Sequence, residues 1–221
     1  FKNNPQDASP DEALFSLIDA LNYNDNTDVV LISGRDRETF ETWFSHRDYN
    51  LITDHGVWLK SKNNDWKLLE RLKTNWMENI RPILETFVDR TPGTFIEQKK
   101  YSLAWHYRQA DPELAKIRTL ELNTVLTSLI SNDDLSVLKG NKVIEIKSSN
   151  VNKGRATSAW IVDHSYDFIF AIGDDWTDEF MFEVLPKIAF TVKVGLKKTQ
   201  AKYYVNSPEN VRELLSKFTE S

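Results

Sequence analysis

The strongest chemical signal in the chain is a run of acidic residues. Gly173 is followed by Asp174 and Asp175, and after Trp176 and Thr177 come Asp178 and Glu179. The apolar run 168–172 before them has the length and composition of a buried strand. Gly173 can end that strand because glycine tolerates backbone angles that other residues do not. Phe180, Met181, Val184 and Leu185 then recur at helical spacing. Asp174 and Asp175 therefore belong at the carboxyl end of a strand, with Asp178 opening the next helix. Three carboxylates at such a strand end suit a hard cation such as magnesium. Without a cation the same residues have other uses: Asp175 caps a turn, and Asp178 and Glu179 complement a helix dipole.

Two further spots complete a chemistry. Ser33 and Gly34 follow the short β-branched run 29–32 and precede a plausible helix at 36–44. A hydroxyl beside a helix amino terminus offers phosphate several N–H and O–H donors, although a serine there also serves as a plain cap. Lys153 and Gly154 stand where a polar linker gives way to a helix; read alone, Lys153 is a solvated lysine. Hydroxyl and ammonium on a phosphate, opposite a magnesium carboxylate cluster, is a layout for phosphoryl transfer, where positioning and charge stabilisation do most of the work.

The bulk properties narrow the rest. The chain has 221 residues, 28% of them charged, and a formal net charge of −5 without a basic block. That argues against nucleic acid or an anionic membrane as the main partner. No apolar run approaches the ~20 residues of a membrane span, and the start lacks the layout of a signal peptide. Cysteine is absent, which excludes disulfides, thiolate metal sites and a cysteine nucleophile, and fits a cytoplasmic setting. His46, His55, His106 and His164 have no metal-ligand spacing. There is no Gly-x-Ser-x-Gly elbow, Gly-rich phosphate loop or dinucleotide fingerprint.

The elements that must hold these residues follow in order. A polar loop at Asn3, Asn4 and Pro5 leads to a helix capped by Ser9 and running to Leu21. Strands at 29–32, 51–53 and 57–59 alternate with helical pattern, which implies a parallel α/β sheet. The stretch 66–88 reads as one helix that Pro82 kinks or divides. Two strands within 94–108, a helix at 111–130 and strands at 137–138 and 143–146 form an α+β insertion. A helix at 154–162, strands at 168–172, 189–194 and 201–205, and a helix from Pro208 to Phe218 return to the α/β pattern. The expected organisation is a core from 1–59 and 149–221, interrupted by a second domain at 60–148, with ligand between the two.

The sequence resembles the trehalose-6-phosphate phosphatase family of the haloacid-dehalogenase-like (HAD) superfamily. The resemblance is carried by Leu31 to Arg35, the Asp54-His55-Gly56 turn, Phe95, Ile96, Glu97 and Lys99, His106 to Arg108, Val151 to Gly154, and Gly173 to Glu179. It implies an α/β fold, a Rossmann-like HAD core with a parallel sheet and an inserted α+β cap domain. It implies a Mg2+-dependent hydrolase that releases phosphate from trehalose 6-phosphate. Ser33, Gly34 and Lys153 would hold the phosphate, Asp174 with Asp175 the metal, and Asp178 would support the metal shell. Glu97, Lys99, Arg108 and Glu145 would read the disaccharide; otherwise they are ordinary exposed strand charges. A trehalose-phosphate synthase domain or subunit is an expected partner.

The family's nucleophile lies in an Asp-x-Asp-Gly-Thr loop on the first core strand, and no such motif occurs in the 221 residues. The 221 residues are therefore expected to be a fragment, with the loop upstream of Phe1 or lost by truncation. Two alternatives remain open: a non-catalytic phosphatase-like module beside a synthase, and a phosphatase for another sugar phosphate.

Overall fold

The computed structural model describes residues 9–24, 26–69, 72–131, 133–162 and 164–219. The loop expected around Asn3, Asn4 and Pro5 lies outside them. The chain forms two compact units, Phe1–Glu70 with Asn152–Ser221, and Arg71–Val151.

The first helix, α1 (Glu12–Asn22), starts at Asp11, whose carboxylate accepts the Leu14 N–H at 2.8 Å. Ser9 is not the cap. The carboxylate next to the first helical residue takes that N–H, and Ser9 stands two residues earlier. Strand β1 (Val30–Ile32) is followed by α2 (Arg37–Phe44), capped by Asp36 on the Thr39 N–H at 2.7 Å. Strand β2 (Asn50–Thr53) pairs parallel to β1, with Leu31 opposite Leu51. Then β3 (Trp58–Lys60) and β4 (Lys67–Leu68) add on antiparallel. The single helix expected over 66–88 is therefore not formed in its first third. Trp66 packs onto the cluster of Phe15, Phe40 and Leu51, and Leu69 onto that of Ile52 and Leu59. Two apolar side chains drawn to two different places override a helical pattern.

The helix that does form, α3 (Trp76–Asp89), runs through Pro82 without a break. Strands β5 (Phe95–Gln98) and β6 (Ser102–His106), helix α4 (Pro112–Leu129), and strands β7 (Leu135–Gly140) and β8 (Val143–Ser148) complete this unit. Its antiparallel sheet has the order β5-β6-β8-β7. Met77, Ile80 and Leu84 from α3 and Leu122 and Leu126 from α4 bury one face, against Leu103, Trp105, Ile144 and Ile146. Each such side chain contributes about 1.5–3 kcal/mol on burial. Because side chains alternate along a strand, Glu97, Ala104 and Glu145, which share one register row, fall on the other face.

The chain returns with α5 (Lys153–Val162), β9 (Phe170–Gly173), a 3-10 turn (Trp176–Asp178), α6 (Glu179–Val184), β10 (Phe190–Val194), β11 (Tyr203–Val205) and α7 (Pro208–Ser216). Strands β9, β10 and β11 are parallel.

Among the described residues, β1 and β9 each carry a partner on one edge only. Val30, Leu31 and Ile32 are half-buried, as are Phe170, Ala171 and Ile172, whereas every residue of β2 is buried. Contacts tie the two sheets together away from those edges. Val30 and Ile32 pack onto a cluster that includes Ala156 of α5, and α5 also lies against α6. Arg212 of α7 forks onto Asp11 before α1 at 2.9 and 2.8 Å. The Tyr166 hydroxyl donates to Asp28 at 2.8 Å and accepts from Trp160 Nε1 at 2.8 Å.

Candidate active site

The chemistry-bearing residues of the first unit lie where strands end or a helix begins: Ser33 after β1, Asp174 after β9 and Lys153 at the start of α5. Asp174 follows β9 directly. It is exposed, and among the described residues its carboxylate has no hydrogen-bond or ion-pair partner. Asp175 is differently engaged. Its carboxylate and that of Asp178 form a capping box: Asp175 accepts from the Asp178 backbone, and Asp178 Oδ2 accepts the Asp175 N–H at 2.9 Å. Thr177 Oγ1 adds a bond to Asp175 Oδ2 at 3.0 Å. Asp178 is buried, 4% exposed, and its other oxygen takes the Lys153 ammonium at 2.6 Å.

Two of the three aspartates are thus committed, and the turn-capping use of Asp175 is the one the geometry displays. Among the described residues no group of three or more His, Cys, Asp or Glu side chains is arranged to hold a metal. Asp174 is the carboxylate left over. Magnesium keeps several waters and takes one or two carboxylates plus substrate phosphate, so an exposed, uncommitted Asp174 fits as one of its ligands.

Two glycines make this arrangement possible. A Cβ on Gly173 would lie 2.3 Å from Asp178 Cβ and Cγ, so the strand ends in glycine because Asp178 folds back over it. Close approach, not a special backbone angle, is the reason. A Cβ on Gly154 would lie 2.3 Å from the Phe180 carbonyl oxygen. That contact lets α5 seat against α6, so that Lys153 meets Asp178. Asn152 caps α5, its side chain accepting the Arg155 N–H at 2.9 Å. An ammonium with one bond to Asp178 keeps two N–H donors for another acceptor.

Ser33 leaves β1 half-buried, with Gly34 at the bend beside the His55 ring. Its N–H donates to the Ile52 carbonyl at 2.9 Å, and its Oγ accepts the Arg35 N–H at 3.1 Å. The hydroxyl proton remains available to donate. The amides at the start of α2 are more committed than the sequence suggests: Arg37 N–H goes to Asp54 Oδ2 at 3.2 Å and Thr39 N–H to Asp36. Arg35 turns its guanidinium onto Trp43, 4.5 Å from the ring centroid.

Asp54 braces this loop. It has a positive φ of 51°, and its N–H donates to the Arg35 carbonyl at 2.8 Å. Burial, reinforced by the nearby charge of Asp36, pushes its carboxyl up to about 6. A carboxyl whose pKa rises on folding holds its proton more tightly in the native state. Its contribution is full below the unfolded value near 4 and is lost as pH climbs through about 6. Asp54→Asn should therefore stabilise the protein at pH 7 by about 1 kcal/mol, allowing for partial solvent screening, and flatten the loss between pH ~4 and ~6. Asparagine suits the positive φ and can still accept the Arg37 N–H. Urea melts of both proteins from pH 4 to 8 check this; parallel curves would refute it.

In the second unit, the sheet face away from the helices carries Glu97 and Glu145, with Lys99 just beyond β5. Glu97 pairs with His106 Nε2 at 2.7 Å, and the His106 ring stacks on Phe95 at 4.7 Å. Glu145 accepts from Ser102 Oγ at 2.7 Å and lies 3.9 Å from Lys99 Nζ. Arg108 is not brought to this group; exposed beyond β6, it donates to the Asn141 carbonyl at the β7–β8 turn at 3.1 Å. Sequence reasoning passed over His106 as a partner of Glu97, although the register that makes them diagonal neighbours on one face follows from a tight hairpin.

Buried Lys193 was also missed. It lies opposite Gly173 in the β9–β10 register, and its Nζ reaches the Asp175 carbonyl at 2.8 Å and Glu179 Oε1 at 3.0 Å. Burial works to raise the Glu179 carboxyl, but the Gln200 N–H, Lys193 and Thr199 together hold it below its ordinary value.

Residues 1–209 match the trehalose-phosphatase family. The bifunctional trehalose-6-phosphate synthase/phosphatase of Thermoproteus tenax is 38% identical over 211 residues, covering 96% of this chain and 29% of that protein. The chain thus spans under a third of that relative's length. The C-terminal domain of trehalose-6-phosphate phosphatase from C. albicans superposes with a TM-score of 0.90 at 28% identity, over 100% of this chain and 87% of that one. A haloacid dehalogenase-like hydrolase from B. subtilis shares the fold, with a TM-score of 0.61 at 13% identity over 96% of this chain and 94% of that one. With Ser33 and Asp174 following strands and Lys153 opening α5 in a HAD-like α/β core, a chain matched over nearly its whole length is a member of the trehalose-phosphatase family.

Proposed function

We propose that this chain forms the greater part of a phosphatase domain that hydrolyses trehalose 6-phosphate to trehalose and phosphate. The observation that carries the reading is the uncommitted Asp174 at the end of β9 beside the buried Lys153–Asp178 pair, in a chain of this family. In the proposed reaction an aspartate outside these 221 residues attacks phosphorus, and the bond to the sugar oxygen breaks. A second aspartate of the same loop protonates that oxygen. The same residue, now a carboxylate, takes a proton from water, which attacks phosphorus as the bond to the aspartyl oxygen breaks and phosphate leaves. Ser33 donates its hydroxyl proton, and Lys153 its remaining N–H bonds, to the equatorial oxygens. A divalent cation held in part by Asp174 would offset the negative charge of phosphate and carboxylates.

Among the described residues the outer edges of β1 and β9 are unpaired, which supports a nucleophile supplied by a further strand. Half-buried apolar strands with open edges are unusual in an α/β core, where parallel strands are buried on both faces. We place the disaccharide against the Glu97 and Glu145 face of the sheet in Arg71–Val151, acting as a cap, with Glu97, Lys99 and Glu145 as hydrogen-bond partners. The relative from Thermoproteus tenax supports a synthase domain in the same polypeptide or a synthase subunit as partner.

Phosphate release from a panel of sugar phosphates by the full-length protein tests this. A preference for trehalose 6-phosphate is expected. Glu97→Gln and Lys99→Met should each raise KM for it about tenfold, since a site built to bind a hydroxyl is left unpaired without it. Equal loss on every substrate would remove the cap reading, and no release from any would favour a non-catalytic module.

A further inference from the structure

Lys193 is the least expected charge in the chain. It occupies an apolar strand and is 2% exposed. Taking an ammonium out of water costs several kcal/mol, and a methionine would fill similar space without that penalty. What the ammonium does is join three segments. Its own strand ends beside Gly173. It holds the Asp175 carbonyl at 2.8 Å, while the Asp175 N–H is held by Asp178 at 2.9 Å. It also pairs with Glu179, whose second oxygen takes Thr199 Oγ1 at 3.0 Å and the Gln200 N–H at 2.7 Å. The residue next to Asp174 is therefore gripped at both its amide and its carbonyl. Asp174, whose carboxylate has no partner among the described residues, takes its direction from that grip.

We propose that Lys193, with Glu179 as its counter-ion, is a positioning residue for Asp174, setting its carboxylate for a divalent cation. The inference rests on Asp174 being a cation ligand. A plain charge effect and a positioning effect have opposite signs. An ammonium acting only through its field repels a cation, so its removal would tighten cation binding. An ammonium acting through the Asp175 carbonyl loosens binding when removed.

The test uses the full-length protein and Mn2+, with free Mn2+ read by electron paramagnetic resonance. The proteins are wild type, Asp174→Asn, Lys193→Met and the charge-balanced Lys193→Met/Glu179→Gln, which leaves no half-buried carboxylate without its counter-charge should the single variant fold poorly. Asp174→Asn is expected to lose binding. Both Lys193 variants should raise the Mn2+ Kd by about tenfold or more, the size of effect seen when a group orienting a metal ligand is removed. Saturating Mn2+ should restore their kcat for phosphate release to near wild type. Unchanged or tighter Mn2+ binding in both Lys193 variants, even with a lowered melting midpoint, overturns the inference alone. Mn2+ binding retained by Asp174→Asn overturns the cation reading and the inference with it.

Discussion

Asp174→Ala in the full-length protein is expected to cut magnesium-dependent phosphate release about a thousandfold and to leave the fold untouched. A metal ligand at a phosphoryl-transfer site contributes several kcal/mol of charge stabilisation, and each ~1.4 kcal/mol is tenfold in rate. Stability should stay within about 0.5 kcal/mol, the usual range for a surface position away from any contact. The reason is local: the Asp174 side chain is exposed and has no partner among the described residues. Its neighbour supplies the control. Asp175→Ala breaks the capping box with Asp178 and the Thr177 bond, so it should lower stability by about 1 kcal/mol. Two adjacent aspartates of identical chemistry would then separate cleanly, one in rate and one in melting midpoint. Circular-dichroism melts and phosphate-release assays over a magnesium titration read both. Full activity in Asp174→Ala would remove it from the cation's ligands.

What the sequence reveals about this site follows from how local each cause is. The strand before Gly173, the helix after Asp178 and the helix opening at Lys153 are written in runs of neighbouring residues, and β9, α6 and α5 form there. The division of labour among the aspartates is not. Asp178 turns inward because Lys153, 25 residues upstream in sequence, meets it, and Gly173 is glycine because that carboxylate lies over it. Lys193 reads from its neighbours as an outward-facing lysine on a half-exposed strand. Only the Asp175 carbonyl and the Glu179 carboxylate, 18 and 14 residues away, make its burial tolerable. The same holds for the stretch at 66–69, where a helical pattern yields to two separate apolar clusters. Apolar spacing locates elements. Which polar group answers which is settled by packing.

The buried Lys153–Asp178 pair should give the largest stability effect in the chain. Both side chains are nearly out of water, 10% and 5% exposed, and their charged atoms are 2.6 Å apart. Removing one member strands the other, which typically costs about 3–5 kcal/mol. Lys153→Met leaves Asp178 with only the Asp175 N–H to satisfy a buried carboxylate. Asp178→Asn keeps an acceptor for that N–H but leaves the ammonium without its counter-charge. The double substitution removes both charges, so it should be less damaging than the sum of the two, with a coupling of about 1–3 kcal/mol. Denaturant melts of the four proteins measure that cycle, and strict additivity would show that the pair is not coupled. Activity separates stability from chemistry. Assayed where each variant is folded, a lysine that only braces Asp178 would add no rate loss to that of Asp178→Asn. A lysine that also holds the transferring phosphate would, so the double variant should release phosphate at least about a hundredfold more slowly than Asp178→Asn.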